Sequence, residues 1–270
     1  MLARSFFIAL FLTIFGAVTG LSQTVATKDA TATSYLSSAV NALAQGVPIS
    51  SATVTGTATR TAGSDVETGS ITLKALGGGD GAIDLTLSDG SRSEIINNAQ
   101  GLPQAASSDP DGTWHITPLP NCLTPADWFF PVLALAQVLN DPSFAAAYIG
   151  QETRNSGPVQ HLRFWRASFP NVTADPGTLA SLQRESAVDV YLDAATSAPV
   201  AFDFTMHSDG GYGLDIPVEI QFSDYQKLSG ILMPSHIEKL INNSPVLDLY
   251  VTGVALNTNL SVTDFTVPAS

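Results

Sequence analysis

The sequence predicts a mainly β domain built from short antiparallel strands, interrupted by two helical segments. Three observations support this fold class. Apolar and polar residues alternate with a period of two in many segments, which is typical of strands that bury one face. Runs rich in Gly, Asn, Asp and Pro separate these segments and are typical of turns. Antiparallel strands at this spacing form a sandwich or a barrel-like sheet.

Residues 50–97 are predicted to form a meander of consecutive antiparallel strands. Thr occupies every odd position from Thr53 to Thr61, which suits a pleated and partly exposed face. Asp89-Gly90 is a two-residue hairpin signal before the last strand of the meander. After the meander, residues 99–112 are expected to form a loop and residues 114–117 a short strand. The first half of the sheet is therefore predicted to be contiguous in sequence.

Strand-like alternation returns in the second half of the chain and is clearest in one segment. Val200, Phe202, Phe204 and Met206 alternate there with polar or small residues such as Asp203. Successive side chains of a strand point to opposite faces of the sheet. Phe202 and Phe204 are therefore predicted to face the same apolar interior.

Two segments have the period of an α-helix. Over Thr33–Gln45 the apolar residues recur at steps of three and four, and Gly and Pro follow as stop signals. The second helix is predicted over residues 125–139, with Thr124 as its N-cap and Pro125 at its first position. Pro131 falls within the first turns of this predicted helix and is a candidate for a kink.

The second predicted helix is apolar nearly all round, because eleven of the twelve residues from Trp128 to Leu139 are apolar. Such a helix is either buried or covers an apolar surface. A curved sheet with an apolar concave face and a helix across it can hold an apolar ligand. The alternative is that the helix completes an ordinary core. The candidate ligand-binding residues are Trp128, Phe129, Val132, Leu133, Phe202, Phe204 and Met206.

The N-terminus has the pattern of a secretory signal peptide, predicted here as residues 1–22. A basic start at Arg4 precedes the uncharged segment 5–18, and small residues follow. This segment is shorter than the about 20 residues that span a bilayer as a helix, so an uncleaved membrane anchor is the less favoured alternative. No cysteine lies near the cleavage site to carry a lipid anchor. Residues 23–270 are expected to form one exported domain, periplasmic or extracellular.

Charge and cysteine content exclude several classes of function. The chain has 24 Asp and Glu against 11 Lys and Arg, a net charge of −13, so nucleic acid is excluded as a partner. Cys122 is the only cysteine, which excludes an internal disulfide and a cysteine-based metal site. A buried thiol in a loop and an intermolecular disulfide are the two remaining interpretations of Cys122.

The sequence contains no known catalytic or metal-binding motif. Asp189 and Asp193 lie on one face of a predicted strand, but their Cα atoms are about 13 Å apart at 3.3 Å per residue. The two carboxylates of a glycosidase are closer, at about 5–9.5 Å. No catalytic residue, metal or cofactor is therefore expected, and the protein is predicted not to be an enzyme. The histidines lie far apart in sequence: His115, His161, His207 and His236.

Four short motifs stand out along the chain: Asp111-Gly-Thr-Trp114, Asp193-Ala-Ala-Thr196 with Pro199, Asp224-Tyr225 before Gly230-Ile-Leu-Met-Pro234, and Asn257 followed by Phe265 and Pro268. With these motifs and the order of its elements, the chain resembles the LolA/LolB/RseB-like group of periplasmic proteins over most of residues 33–268. The long connection 97–125 departs from the type members. The resemblance implies a LolA-like half-barrel of antiparallel strands, with helices across its concave apolar face. Members of the group bind acyl chains or lipidated proteins.

The residues and the resemblance together predict a non-enzymatic binding protein of the cell envelope. Its expected partner is an apolar small molecule, a lipid or a lipoprotein segment, and the protein is not expected to be integral to the membrane. One alternative is an RseB-like interaction or sensing module with a protein partner in the envelope. The other is a hydrolase whose site is assembled from residues far apart in sequence.

Overall fold

The structure is a computed structural model that describes residues 27–98, 101–208 and 211–268, and the predicted signal peptide lies outside these residues. The described chain contains three α-helices: α1 (Ala30–Ala44), α2 (Pro131–Asn140) and α3 (Pro176–Glu185). Its strands are β1 (Ser51–Ala62), β2 (Asp65–Leu76), β3 (Asp80–Leu87), β4 (Gly90–Asn97), β5 (Gln104–Ser108), β6 (Trp114–Thr117), β7 (Phe144–Arg154), β8 (Gly157–Arg166), β9 (Val188–Asp193), β10 (Pro199–Ser208), β11 (Gly211–Leu228), β12 (Ile231–Ile241) and β13 (Ser244–Leu256).

All thirteen strands form one sheet, in the spatial order β6-β5-β4-β3-β2-β1-β13-β12-β11-β10-β9-β8-β7. Every neighbouring pair is antiparallel. Two meanders, β1–β6 and β7–β13, join at the centre where β1 pairs with β13. Since β6 and β7 are edge strands, the sheet is open. The predicted half-barrel with helices on one face is confirmed, and we call that face of the sheet the concave face.

The predicted meander over residues 50–97 is confirmed as strands β1 to β4, and the predicted strand at 114–117 is confirmed as β6. The prediction of a loop over 99–112 is wrong in part, because β5 lies within it. This strand consists of Gln, Ala and Ser, which have low strand propensity. Pairing with β4 on one side and β6 on the other holds it in the sheet.

Helix α1 begins three residues before the predicted Thr33. Asp29 is its N-cap, and Asp29 Oδ1 accepts hydrogen bonds from the backbone N–H groups of Thr31 at 2.6 Å and Ala32 at 3.3 Å. These bonds satisfy donors that a helix N-terminus otherwise leaves unpaired. Gln45 ends the helix in the left-handed conformation, with φ of 52°. One face of α1 is buried against the concave face of the sheet.

The helix predicted over residues 125–139 starts later than expected. Helix α2 begins at Pro131, and turns occupy residues 126–129 before it. Phe130, not Thr124, is the N-cap residue, and it makes no side-chain capping bond. A proline ring would clash with the carbonyl group four residues earlier inside a helix, but it fits the first helical position. Pro131 therefore starts the helix instead of kinking it.

Helix α3 has no counterpart among the predicted elements, because its sequence is polar apart from a few residues such as Leu179 and Leu182. Asp175 is its N-cap and accepts backbone hydrogen bonds from Gly177 and Thr178. Leu182 packs with Leu123 and Phe169 in a small cluster separate from the main core. Among the described residues, no helix is long and apolar enough to cross a membrane.

The main core lies between the concave face and helices α1 and α2. The prediction that Phe202 and Phe204 face the same interior is confirmed. Phe202 is fully buried in this core, and Phe204 packs against it while partly exposed. The ring of Phe202 contacts that of Phe222 edge to face, with centroids 4.9 Å apart. Close packing of this kind is typical of a protein interior.

Candidate ligand-binding site

A cavity of about 440 Å³ lies at one end of the concave face. Its volume falls within the range of about 300–1,000 Å³ that is common for small-molecule sites. Trp128, from the turns before α2, lies on one side of it. The other large apolar residues of its lining come from β3, β12 and β13: Ile83, Leu85, Ile241, Val246 and Leu247.

A second cavity of about 260 Å³ lies on the other side of Trp128. Strands β10 and β11 contribute Phe204, Met206 and Val218 to its lining. The two cavities are adjacent, since both are lined by Glu94, Ser107, Trp128 and Lys239. We refer to the two cavities together as the end groove. The segment before α2 reaches the end groove through Thr124, Pro125 and Trp128.

The predicted ligand-binding residues fall into two groups in the structure. Those that line the end groove are Trp128, Phe204 and Met206. Those that line neither cavity and are packed in the core are Phe129, Val132, Leu133 and Phe202. The first group therefore contacts space that a ligand can enter without any movement of α2.

Trp128 is 4% exposed and is held by two ring contacts. Its ring meets that of Phe129 edge to face, with centroids 5.7 Å apart. The Lys239 ammonium lies 5.4 Å from the centre of the Trp128 ring, within the range of a cation–π interaction. Trp128 therefore links the core beneath α2 to a charged residue of the groove.

Charged residues of the end groove were not found from the sequence. Arg60 and Arg92 both donate to Glu67 Oε1, at 2.8 and 3.0 Å. Glu67 is 5% exposed, and its hydrogen bond with Arg92 outweighs burial and lowers the pKa of the carboxyl group, so it stays ionised. Among the described residues, neither Glu67 Oε2 nor Arg92 Nε has a hydrogen-bond partner.

A sequence signal for these charges does exist in β4. Arg92 is paired with Leu85 of β3, and Glu94 with Ile83. Ile96 follows in the same alternation and is buried. The inward positions of β4 thus change from apolar to charged toward the end of the half-barrel, and charged residues at inward strand positions indicate a polar or functional surface.

Asp127 is fully buried in the turns before α2, directly beside Trp128 in sequence. Neither of its carboxylate oxygens has a hydrogen-bond partner among the described residues. Burial, with a smaller contribution from the charge of Asp80, raises the pKa of this carboxyl group to about 7, while its own backbone N–H and Arg166 oppose the shift. Arg166 is also buried, and its guanidinium lies 4.9 Å from the centre of the Phe144 ring.

Cys122 is buried in a short 3-10 helix, Leu119–Cys122, in the chain segment before Trp128. Burial raises the pKa of its thiol to about 12, so the group remains protonated and unreactive. The interpretation of Cys122 as a buried loop thiol is confirmed. No group of three or more His, Cys, Asp or Glu residues in the described part of the chain is arranged to hold a metal ion.

A row of Ser, His and Asp side chains crosses the opposite, convex face of the sheet. Ser223 Oγ lies 3.1 Å from His236 Nδ1, and His236 Nε2 lies 2.7 Å from Asp248 Oδ1. This assignment of ring nitrogens is the reverse of that in serine hydrolases, where the nucleophile contacts Nε2. The ring of Tyr250 stacks on the imidazole at 4.6 Å. A similar cross-strand polar row surrounds the buried His161, and neither row contributes a lining residue to the end groove.

No protein-family model and no curated protein matches the sequence, but solved structures do. A LolA superfamily protein from Nitrosomonas europaea is 15% identical with a TM-score of 0.53, over 87% of this chain and 97% of its own. A domain described as an outer membrane lipoprotein-sorting protein from Vibrio parahaemolyticus is 13% identical with a TM-score of 0.52, over 85% and 95%. A DUF1329 family protein from Desulfovibrio piger is 11% identical with a TM-score of 0.52, over 87% and 97%.

The protein has a LolA-like fold. The resemblance found in the sequence is confirmed at the level of the fold, with an open antiparallel sheet and helices on its concave face. The long connection 97–125 supplies β5, β6 and the 3-10 helix in this LolA-like protein. These elements extend the sheet beyond β4 and form one side of the smaller cavity.

Proposed function

We propose that this LolA-like protein is a non-enzymatic binding protein of the cell envelope, which holds an acyl chain or another apolar chain in the end groove. The observation that carries the proposal is the end groove itself, a space with Trp128 on one side and apolar residues of several strands on the other. One protein of the same fold is described as an outer membrane lipoprotein-sorting protein, which supports a lipid or lipoprotein segment as the ligand.

The packing of α2 supports entry at the end of the half-barrel. Core residues of α2 and of the turns before it, such as Leu135 and Phe129, are fully buried. They would have to move before a ligand could bind between α2 and the sheet. The end groove requires no such movement. We therefore assign ligand contacts first to Trp128, Phe204 and Met206, with Phe129, Val132, Leu133 and Phe202 supporting them from behind. That the protein also binds a protein partner in the envelope stays a prediction from the sequence.

A series of alkyl ligands of increasing length tests this function. Each added CH₂ that is buried contributes about 0.8 kcal/mol, which is about fourfold in Kd. We expect Kd to fall by about this factor per CH₂ until the groove is filled, and then to level off. Displacement of a fluorescent fatty acid measures it. Absence of saturable binding by the wild-type protein at every chain length would contradict the proposal.

Substitution of Trp128 localises the binding. Trp128→Ala is expected to weaken binding by at least about tenfold, because a large apolar contact is removed from the groove. Trp165→Ala is the matched control, since Trp165 is half-buried on β8 and does not line either cavity. An equal loss of ligand affinity in Trp128→Ala and Trp165→Ala would show that the effect does not come from the end groove. Both proteins are first compared by thermal unfolding.

We further propose export to the periplasm or the extracellular space, on the basis of the charge and apolar pattern of residues 1–22. The expected result is a mature chain that begins after residue 20, 22 or 23. N-terminal sequencing of the exported protein measures this. An exported chain that still begins at Met1 would contradict the prediction that a signal peptide is cleaved. The binding function does not depend on this result.

A further inference from the structure

Cationic side chains are concentrated at the end groove in a protein that has few of them. The chain has 11 Lys and Arg and a net charge of −13. Arg60, Arg92 and Lys239 all line the larger cavity. They come from β1, β4 and β12, so the fold brings them together from distant parts of the sequence. In a protein with a net charge of −13, three cations around one cavity indicate a site that favours an anion.

The two arginines share a single carboxylate. Both donate to Glu67 Oε1, so the group of Arg60, Glu67 and Arg92 carries one net positive charge. Arg92 Nε is buried and has no hydrogen-bond partner among the described residues. A buried donor without a partner is costly, and a polar group of a ligand or a bound water can satisfy it.

Lys239 has no such carboxylate. It occupies an inward position of β12 between Ile237, which is fully buried, and Ile241. Its ammonium lies over the Trp128 ring, and no ion pair joins it to another residue in the described ranges. An ammonium half-removed from water is stabilised when an anion pairs with it. Lys239 lines both cavities. An amphiphile whose anionic headgroup lies beside Lys239 therefore has space for its apolar chain in either cavity.

Two acidic residues, Glu94 and Asp109, also line the larger cavity, and their negative charges oppose those of the cations. Asp109 Oδ2 is 2.8 Å from His115 Nε2, and both side chains are more than half exposed at the rim. Glu94 lines both cavities and makes no ion pair with a described residue. Its charge opposes that of an anionic ligand, so its removal should have the opposite effect to removal of Lys239.

We propose that the end groove selects amphiphiles with one anionic headgroup, a carboxylate or a phosphate, and that Lys239 pairs with that headgroup while the apolar chain lies along Trp128. This selectivity rests on the proposed binding function, which by itself requires only an apolar chain. Arg92 lines the larger cavity as well and adds positive charge there. Lys239 thus determines which amphiphiles are bound, and the apolar residues determine how long a chain is held.

Three ligands with the same chain test the selectivity: dodecanoate, dodecyl phosphate and the uncharged dodecanol, at pH 8 and low ionic strength. The wild-type protein is expected to bind at least one of the anions about tenfold more tightly than dodecanol, as a hydrogen bond to a charged group allows. The anion that binds more tightly identifies the headgroup, carboxylate for a free fatty acid and phosphate for a phospholipid-like ligand.

Three variants separate the role of Lys239 from general effects of charge. Lys239→Gln is expected to lower the ratio of anion affinity to dodecanol affinity from about tenfold to near one, because Gln keeps a polar side chain at this position but carries no charge. Lys227→Gln is the matched control, because Lys227 is exposed on β11 outside the groove and its loss changes the net charge equally. Glu94→Gln is expected to strengthen binding of the anion. If Lys239→Gln is too unstable to measure, the sign of the Glu94→Gln effect still tests the inference.

The outcomes distinguish the inference from the proposed function. Equal binding of dodecanol and both anions by the wild-type protein overturns the selectivity and leaves the apolar binding function intact. An equal loss in Lys227→Gln and Lys239→Gln also overturns it, because the effect would then come from the net charge. Binding of none of the three ligands overturns both proposals.

Discussion

Replacement of Asp127 with Asn is expected to stabilise the folded protein at pH 8 by on the order of 4 kcal/mol. The carboxyl group is fully buried and burial raises its pKa from 3.8 to about 7. A shift of one pKa unit corresponds to about 1.4 kcal/mol. Asparagine has nearly the same shape and cannot ionise, so the variant avoids the cost of a buried charge.

The pH dependence follows from the direction of this shift. Because the pKa of Asp127 is higher in the folded than in the unfolded chain, its contribution to stability is fully present below pH 3.8. This contribution is lost as the pH rises to about 7, where the folded protein also releases the proton. The wild type should therefore lose stability relative to Asp127→Asn between these values, and the difference should become constant above pH 8.

Urea unfolding of both proteins at pH 4, 6 and 8 measures the difference. Other titrating groups are common to the two proteins, so they cancel when the two free energies of unfolding are subtracted. Asp89→Asn is the control, because Asp89 is exposed in the turn between β3 and β4 and its loss changes the net charge equally. Parallel pH curves for the wild type and Asp127→Asn would show that Asp127 does not retain its proton on folding.

Replacement of Phe129 and Leu133 together by Ala is expected to lower the free energy of unfolding by about 5 kcal/mol or more. The exposed fraction is 0% for Phe129 and 4% for Leu133, and both lie in the main core. Truncation of either side chain leaves a cavity, at a cost of about 2–5 kcal/mol each. The two effects are not strictly additive, because the residues lie in one packed cluster.

This pair of residues decides between the two roles left open for the apolar helix. If α2 completes the core, stability falls by the amount above. If α2 is a mobile cover, ligand affinity changes more than stability does. Titration of the wild type and the double variant with a fluorescent fatty acid, beside urea unfolding of both, separates the roles, with Leu133→Ala alone and Ile149→Ala as controls for stability. Ile149 is 50% exposed on an edge strand, so its truncation should change stability little. A small loss in the double variant would contradict the core role.

Strands with clear alternation were predictable from the sequence, because local periodicity is enough to define them. Strands β1 to β4 are examples. Strand β5 was not predictable, since its Ala and Ser residues form a strand only when neighbours pair with both of its edges. The start of α2 was misplaced because Pro125 and Pro131 both suit a first helical position, and only packing distinguishes them. Helix α3 carries too few apolar residues to show a periodic face.

The candidate site was predictable only in part, for a related reason. Trp128, Phe204 and Met206 were identified because large apolar residues stood out against their neighbours. The charges were missed because each belongs to a different strand and the sequence does not show how the strands align. Arg60 and Lys239 each pair with Leu247, so β13 separates them by one strand, yet they are 179 positions apart in the chain.

The pairing of β1 with β13 makes the folding of this chain dependent on its most distant segments. Each meander consists of sequence-adjacent strands, which close quickly because their loops are short. The seam between them joins Ala52 to Leu256, so it carries the largest loop-closure entropy and is expected to form last. Until then both meanders present an unpaired central edge, which is where self-association would start. A chain threaded across a membrane from its N-terminus would therefore stay without its complete sheet until β13 emerged.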